Sequence, residues 1–374
     1  MPVRYKRKYR LELGLASQWQ KDTLTFLRSE TDFNKVTPFN LVDASNGYGG
    51  TLIKREDGSN GTFAIPSVVI EDLHIEATIK AVKSPQGSGS DPTEIHIYNL
   101  SEQYRQKLSK GNSITLFAGY TTDAELPLVY TGEVAKVFTK KKGPDYITTI
   151  YCKDSDAVRK YVRVTKTYPD GITYRGVLKD LAKITGEYGL PIGQFNTLFQ
   201  NSAGAPDPLA KPIPGGYSVF GFALDELSKI CKEVGYTSYV FNGRLYIEPL
   251  TAEVKDQAGN LRQAKVTPSR QSYFLDINLL SGYVEKMSEY KAGTDNSSDT
   301  NDGIVIKTFL DGNASIAKNL VLSSKGTYGQ YEIVEVKHLL SYEGNDWDTE
   351  ITAKAITDVT ADGNIFAGEI TGGE

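Results

Sequence analysis

Cysteine, histidine, methionine and tryptophan are all scarce in this chain. The two cysteines, Cys152 and Cys231, cannot build a disulfide scaffold or a four-cysteine metal knot. Three histidines, His74, His96 and His338, leave little material for metal chemistry. No apolar run approaches the roughly 18 residues of a membrane span. Neither sign of charge dominates: 42 Lys+Arg stand against 46 Asp+Glu, a formal net charge of -4, which argues against a coat held on nucleic acid by bulk attraction. The basic start, Met1-Pro-Val-Arg-Tyr-Lys-Arg-Lys-Tyr-Arg10, could open a signal peptide, but the residues after Leu11 alternate with polar ones and supply no apolar core for it. The expectation is a soluble chain made in a cytoplasm, which leaves only as part of something larger.

Catalytic signatures are equally thin. There is no G-x-S-x-G elbow, Walker A loop, H-E-x-x-H or C-x-x-C. Gly47-Tyr-Gly-Gly starts like a dinucleotide loop, but no strand-to-helix context follows. Asp295, Ser297, Asp299, Asn301 and Asp302 offer oxygen ligands, yet the glycine of an EF-hand's sixth position is missing, so a solvated loop is the reading. His74 and His96 alternate with apolar residues and read as sheet-face histidines. Asp225 and Glu226 sit among lysines on a helical pattern and read as a solvated face. No catalytic residue, cofactor or metal is expected, although glycosidase acids far apart in sequence would escape such a scan.

What is present is a chain of 374 residues, 39% hydrophobic and 24% charged, enough to bury two or three cores. At its start Tyr5, Arg7, Tyr9, Leu11 and Leu13 fall on one face, and Arg4, Lys6, Lys8, Arg10 and Glu12 on the other, which predicts a strand. The basic face is either a contact for a charged partner or simply solvated. Residues 30–68, rich in Gly, Asn, Asp and Ser, read as loop or insertion. Strands are expected over 73–81 and 94–98. Asn99 with Glu102 predicts a capping box and a helix to about residue 109, with Tyr104 and Leu108 on one face and Gly111 as its stop. Strands follow over 113–118, 128–139 and 146–152, the last two joined by the tip Lys140-Lys-Lys-Gly-Pro-Asp145.

The middle changes character. Thr173 caps an expected helix over 173–185, with Val177, Leu178, Leu181 and Ile184 at helical spacing. Ser218 is expected to cap a second, with Phe220, Leu224, Leu227, Ile230, Cys231 and Val234 on one face. The two share a weak internal similarity. Asn242-Gly243 between two strand patterns is the strongest hairpin signal in the chain. Residues 252–270 read as linker, 291–303 as a mobile loop. The last third is β again, with strands over 304–310, 319–322, 330–340 and 347–355, and a tip at Gly344-Asn-Asp.

Tyrosine is in excess, 23 against 14 phenylalanines, and suits half-buried sheet faces and interfaces. Three blocks carry a resemblance. The first runs through Leu73–Ala81, Glu94-Ile-His-Ile-Tyr-Asn-Leu-Ser101, Leu116-Phe-Ala-Gly-Tyr120 and Val129-Tyr-Thr-Gly-Glu-Val134. The second leads from the 220–234 helix into Gly235-Tyr and the Asn-Gly hairpin ending Leu245-Tyr-Ile247. The third joins Tyr331-Glu-Ile-Val-Glu-Val-Lys-His338 to Trp347-Asp-Thr-Glu-Ile-Thr-Ala353. In this order they resemble the baseplate or tail hub proteins of contractile-tailed bacteriophages, a tail-tube-like family also found in related contractile injection systems. The blocks touch about half the chain.

The resemblance implies a mainly β fold with a smaller α+β part: two tail-tube-like antiparallel β-barrels flanking a helix-and-hairpin region. The divisions it implies are 1–158, with an insertion over 30–68, then 159–268, 269–360 and a tail over 361–374. It implies a homotrimer, a pseudo-six-fold ring between tail tube protein and spike protein, with other baseplate proteins as neighbours. Specific nucleic acid binding and catalysis are not part of it, and its place is the virion tail, made in the host cytoplasm. Lys140, Lys141 and Lys142, with Arg4, Lys6 and Lys8, become possible partner contacts, although a solvated hairpin tip is the plainer reading of the lysines. Trp347 reads as core. The alternatives are a β-rich carbohydrate-binding or glycan-degrading tail protein and a secreted adhesin.

Overall fold

The computed structural model describes residues 6–14, 40–41, 51–54, 60–63, 67–83, 93–195, 208–249, 252–255, 261–264, 272–276, 283–290, 301–324, 327–355, 358–359 and 365–366. Arg4, the Gly47 motif and residues 291–300 lie outside them.

Period-two sequence becomes sheet as expected. In β1 (Arg7–Gly14) Tyr9, Leu11 and Leu13 are buried while Lys8 is exposed. The first β portion continues with β2 (Ser67–Ile70), β3 (Ile75–Val82), β4 (Thr93–Tyr98), the short helix α1 (Glu102–Lys107), β5 (Ser113–Tyr120), β6 (Leu128–Lys142) and β7 (Asp145–Lys153). Its spatial order is β2-β1-β5-β6-β7-β4-β3, each neighbour antiparallel.

The middle holds α2 (Asp156–Tyr161), β8 (Arg163–Tyr168), α3 (Tyr174–Glu187), β9 (Ile192–Phe195), β10 (Tyr217–Phe222), α4 (Ala223–Glu233), β11 (Tyr236–Phe241) and β12 (Arg244–Pro249). Thr173 caps α3 as expected, its Oγ1 accepting the Gly176 N–H. Val177, Leu178 and Leu181 face the core. The Asn242-Gly243 turn has positive φ at both residues, 48° and 67°, which suits asparagine and glycine and matches the twist of the flanking strands. β11 is buried along its whole length. Tyr236 and Val240 belong to the helical core, Tyr239 and Phe241 to the core of the last β portion.

That last portion comprises β13 (Ser272–Asp276), β14 (Tyr283–Tyr290), β15 (Asn301–Phe309), β16 (Asn319–Ser324), β17 (Thr327–Ser341) and β18 (Trp347–Ala355). Strand order is β14-β15-β18-β17, with β16 on the other edge of the first half of β17. β13 joins β16 in parallel, a departure from purely antiparallel pairing. The second half of β17 pairs with β3, from Glu335 opposite Val82 to Ser341 opposite Glu76. The two β portions are thereby one continuous sheet. Each has its own apolar core, but the first also takes in Leu310, Leu340 and Trp347 from the last portion. Short strand pairs lie within the expected insertion (Asn40–Leu41, Thr51–Lys54, Asn60–Phe63), the expected linker (Ala252–Lys255 with Leu261–Ala264) and the segment 358–366.

Two capping expectations fail. α1 begins after Ser101 without a side-chain cap and ends at Lys107. Asn99 instead takes a left-handed φ of 55°, which asparagine tolerates, and turns its side chain to the β6–β7 hairpin. Ser218 caps nothing, because residues 217–222 are recruited as β10 into a ladder with β8; the helix starts five residues later, and Phe220 is left exposed.

Candidate assembly interface

The β6–β7 hairpin is longer than the sequence pattern implied: its strands run to Lys142 and Asp145 around a two-residue Gly143-Pro144 turn. Lys140, Lys141 and Lys142 are exposed strand residues, opposite Ile147, Tyr146 and Asp145. Asn99 fastens the hairpin end, donating from Nδ2 to Asp145 at 2.8 Å and accepting the Tyr146 N–H at 3.0 Å. Lysines rest over aromatic rings: Lys136 and Lys140 over Phe138, Lys141 over Tyr146. From α1, Arg105 stacks on Tyr146 with 4.7 Å to the ring centre, and Lys107 lies over Tyr104.

Lys6, just before β1, and Lys8 on it are exposed, with β5 between β1 and β6, so the structure does not merge them with the hairpin lysines into one cluster. Arg7 between them does something the sequence did not announce. Its guanidinium donates to the carbonyls of Ser341, Gly344 and Asn345 at 2.7, 2.6 and 3.0 Å and lies 5.5 Å from the Trp347 ring centre. The turn between β17 and β18 is thus clasped by the first strand.

Two further contacts join the three portions. Lys83, at the end of β3, donates to Glu248 on β12 and to Glu332 on β17, both at 2.7 Å. Glu248 is fully buried and also accepts the Tyr239 hydroxyl at 2.9 Å. The tip of the Asn242-Gly243 hairpin plugs into the first portion: Asp154 accepts the Asn242 N–H at 3.2 Å, and the Thr131 N–H donates to Asn242 Oδ1. Burial pushes the Asp154 carboxyl up to about 7, against the lowering effects of the Asn242 N–H and the Arg159 charge. Of these residues only Asn242 carried a sequence signal, and that was for the turn, not for its contact with the first portion.

Both cysteines are buried, and burial pushes the Cys231 thiol up to about 12. His96 is hydrogen-bonded to Thr149, and His74 accepts the Glu343 N–H. His338 is buried against Thr349, and desolvation lowers it to about 4. Among the described residues no group of three or more His, Cys, Asp or Glu is arranged to hold a metal ion. No helix among them is long and apolar enough to cross a membrane.

The terminal strands of the sheet, β2 and β14, and the strand β13 each pair on one edge only among the described residues. Val69 on β2 is 44% exposed and Phe274 on β13 is 74% exposed. Apolar residues on such edges are sites for pairing with another chain.

No family model and no curated protein matches this sequence. Solved structures do. A tail protein from Neisseria meningitidis superposes with a TM-score of 0.42 at 11% identity, over 79% of this chain and 94% of that one. A 43 kDa prophage tail protein from Shewanella oneidensis gives a TM-score of 0.45 at 9% identity, over 76% and 95%. An E. coli component of the type VI secretion system gives 0.42 at 10% identity, over 76% and 74%. The structural neighbours of this chain are therefore phage tail and type VI secretion proteins.

Proposed function

We propose that this chain is the structural hub of a phage baseplate or tail tip. Three copies form a ring of six-fold-like outline, which adapts a six-fold tail tube to a three-fold spike. The observation that carries this reading is the β3–β17 ladder, which sets two β portions side by side in one sheet that, among the described residues, has an open strand at either end. Two β units per chain and three chains give six units around a ring. Pairing the open edges of neighbouring copies, among them the β2 edge that carries Val69 and the β13 edge that carries Phe274, hides both. The order of the sequence blocks that resembles hub proteins supports the same reading.

In this role the chain does mechanical rather than chemical work. The proposed division is 1–158, 159–268 and 269–360, with the middle portion bracing the two β portions through Glu248, which holds Lys83, and Asn242. The partners are tail tube, spike and other baseplate proteins of the virion, and the residues offered to them include Lys140, Lys141 and Lys142. Electron-microscope images of the purified protein test the proposal. Rings of three-fold symmetry with six lobes are expected; particles of any other symmetry would overturn it.

A further inference from the structure

Two observations about the β6–β7 hairpin go together. Among the described residues, Lys136, Lys140, Lys141 and Lys142 on the hairpin, and Arg105 and Lys107 on α1, form no ion pair with a carboxylate; all of them except Lys142 lie instead over the faces of Phe138, Tyr146 and Tyr104. Meanwhile the acids beside them are held by neutral amides. Asp145 accepts from Asn99, and Glu102 accepts from Gln106 at 3.2 Å. The Arg105 Nε is buried without a hydrogen-bond partner. Some lysines elsewhere are paired with carboxylates, as Lys166 with Asp180 and Lys337 with Glu350. At this end, among the described residues, six cations stand without a carboxylate while Asp145 and Glu102 beside them are engaged by amides.

We infer that the β6–β7 hairpin end, with α1 behind it, is a docking surface for an acidic segment of a partner protein. This deepens the hub reading, on which it rests for the hairpin's being a contact at all. A lysine stem laid along an aromatic ring keeps its ammonium in water while losing part of its rotamer freedom, so little ordering remains to be done when a carboxylate arrives. Tyr104 and Tyr146, 38% and 41% exposed, add the flat amphipathic rings that interfaces favour. A long polyphosphate fits less well. The outward sheet face next to the lysine row carries Glu94 and Glu76, one and two strands beyond β7, which confines the positive field to the hairpin end. A short acidic loop matches that extent.

The test uses the full chain and a fluorescein-labelled octaglutamate peptide, read by anisotropy at about 50 mM and 300 mM salt, where screening separates surface charge attraction from the rest. The peptide is expected to bind at low salt and to lose at least tenfold in affinity at high salt. The triple variant Lys140→Glu, Lys141→Glu, Lys142→Glu is expected to lose at least tenfold, and Tyr146→Ala a smaller part. Lys6→Glu with Lys8→Glu is expected to change nothing. Equal binding by the triple variant, or no binding by the unaltered chain at low salt, would overturn the inference. So would a thymidine octanucleotide that displaces the peptide at lower concentration than the peptide itself, which would make the surface a phosphate site. Mass measured on the same samples separates the two ideas. A trimer that ignores the peptide removes the docking surface alone, and a monomer that binds it through these lysines removes the ring alone.

Discussion

Trp347 on β18 donates its indole N–H to the carbonyl oxygen of Gly119 on β5, at 3.3 Å. The two residues belong to opposite β portions, and the bond is buried. Around it, Leu310 and Leu340 complete the first core, Tyr342 meets Tyr9 edge to face, and Arg7 closes over the indole. The last β portion supplies part of the wall of the first. The two portions are therefore held together twice, by the β3–β17 ladder and by this clasp.

Trp347→Ala removes a side chain that is 2% exposed and opens a cavity at the clasp. The expected loss is about 3–5 kcal/mol of unfolding free energy. Trp347→Phe keeps most of the apolar volume but removes the indole N–H from the Gly119 carbonyl, and is expected to cost about 0.5–1.5 kcal/mol. Denaturant midpoints of the three proteins check the order; equal midpoints would mean that the clasp contributes nothing.

Lys83→Ala strips the fully buried Glu248 of its ammonium partner. Breaking such a pair from one side is expected to cost about 3–5 kcal/mol, whereas replacing both Lys83 and Glu248 by methionine is expected to be much closer to neutral. A double-mutant cycle measured by chemical unfolding distinguishes this from simple loss of packing, in which case the double variant would be at least as damaged as the single one.

Asp154 gives a pH signature. Its folded value, about 7, lies above the ordinary 3.8, so the folded state holds the proton more tightly than the unfolded state does. This group's contribution is favourable at low pH and is lost as pH rises from about 4 through 7. His338, lowered to about 4, works in the opposite direction between about 4 and 6.5: stability falls there as pH drops. The Asp154 effect is therefore read as a difference. Relative to the unaltered protein, Asp154→Asn is expected to gain in Tm between pH 5 and pH 7.5. The surrounding charges, Arg159 and Glu133, are present in both proteins and leave that comparison intact. A difference in Tm that stays constant across the series would contradict the assignment.

The β elements were legible wherever one face is buried, because alternation alone writes them: Tyr9, Leu11 and Leu13 in β1, or Ile75, Ala77 and Ile79 in β3. Thr173 and Asn242-Gly243 were legible because a cap and a two-residue turn are local chemistry. Ser218 misled for the same reason, since a sequence-local cap signal cannot register that β8, some fifty residues earlier, pairs with residues 217–222. The contacts that hold the portions together left almost no mark. Arg7 reads as one member of a basic run, but only the folded chain brings the β17–β18 turn to it. The hairpin lysines were visible as charge; their freedom from carboxylates was not, because it depends on what Asn99 and Gln106 do with the neighbouring acids.

The central claim is that the chain completes itself by closing a ring of three. Light scattering on the purified protein across a concentration series tests it most directly. The account predicts a particle with three times the 41.1 kDa of one chain, whose mass falls when Val69→Lys and Phe274→Lys place charge on the open edges. A mass of one chain at every concentration, unchanged by those substitutions, would contradict it.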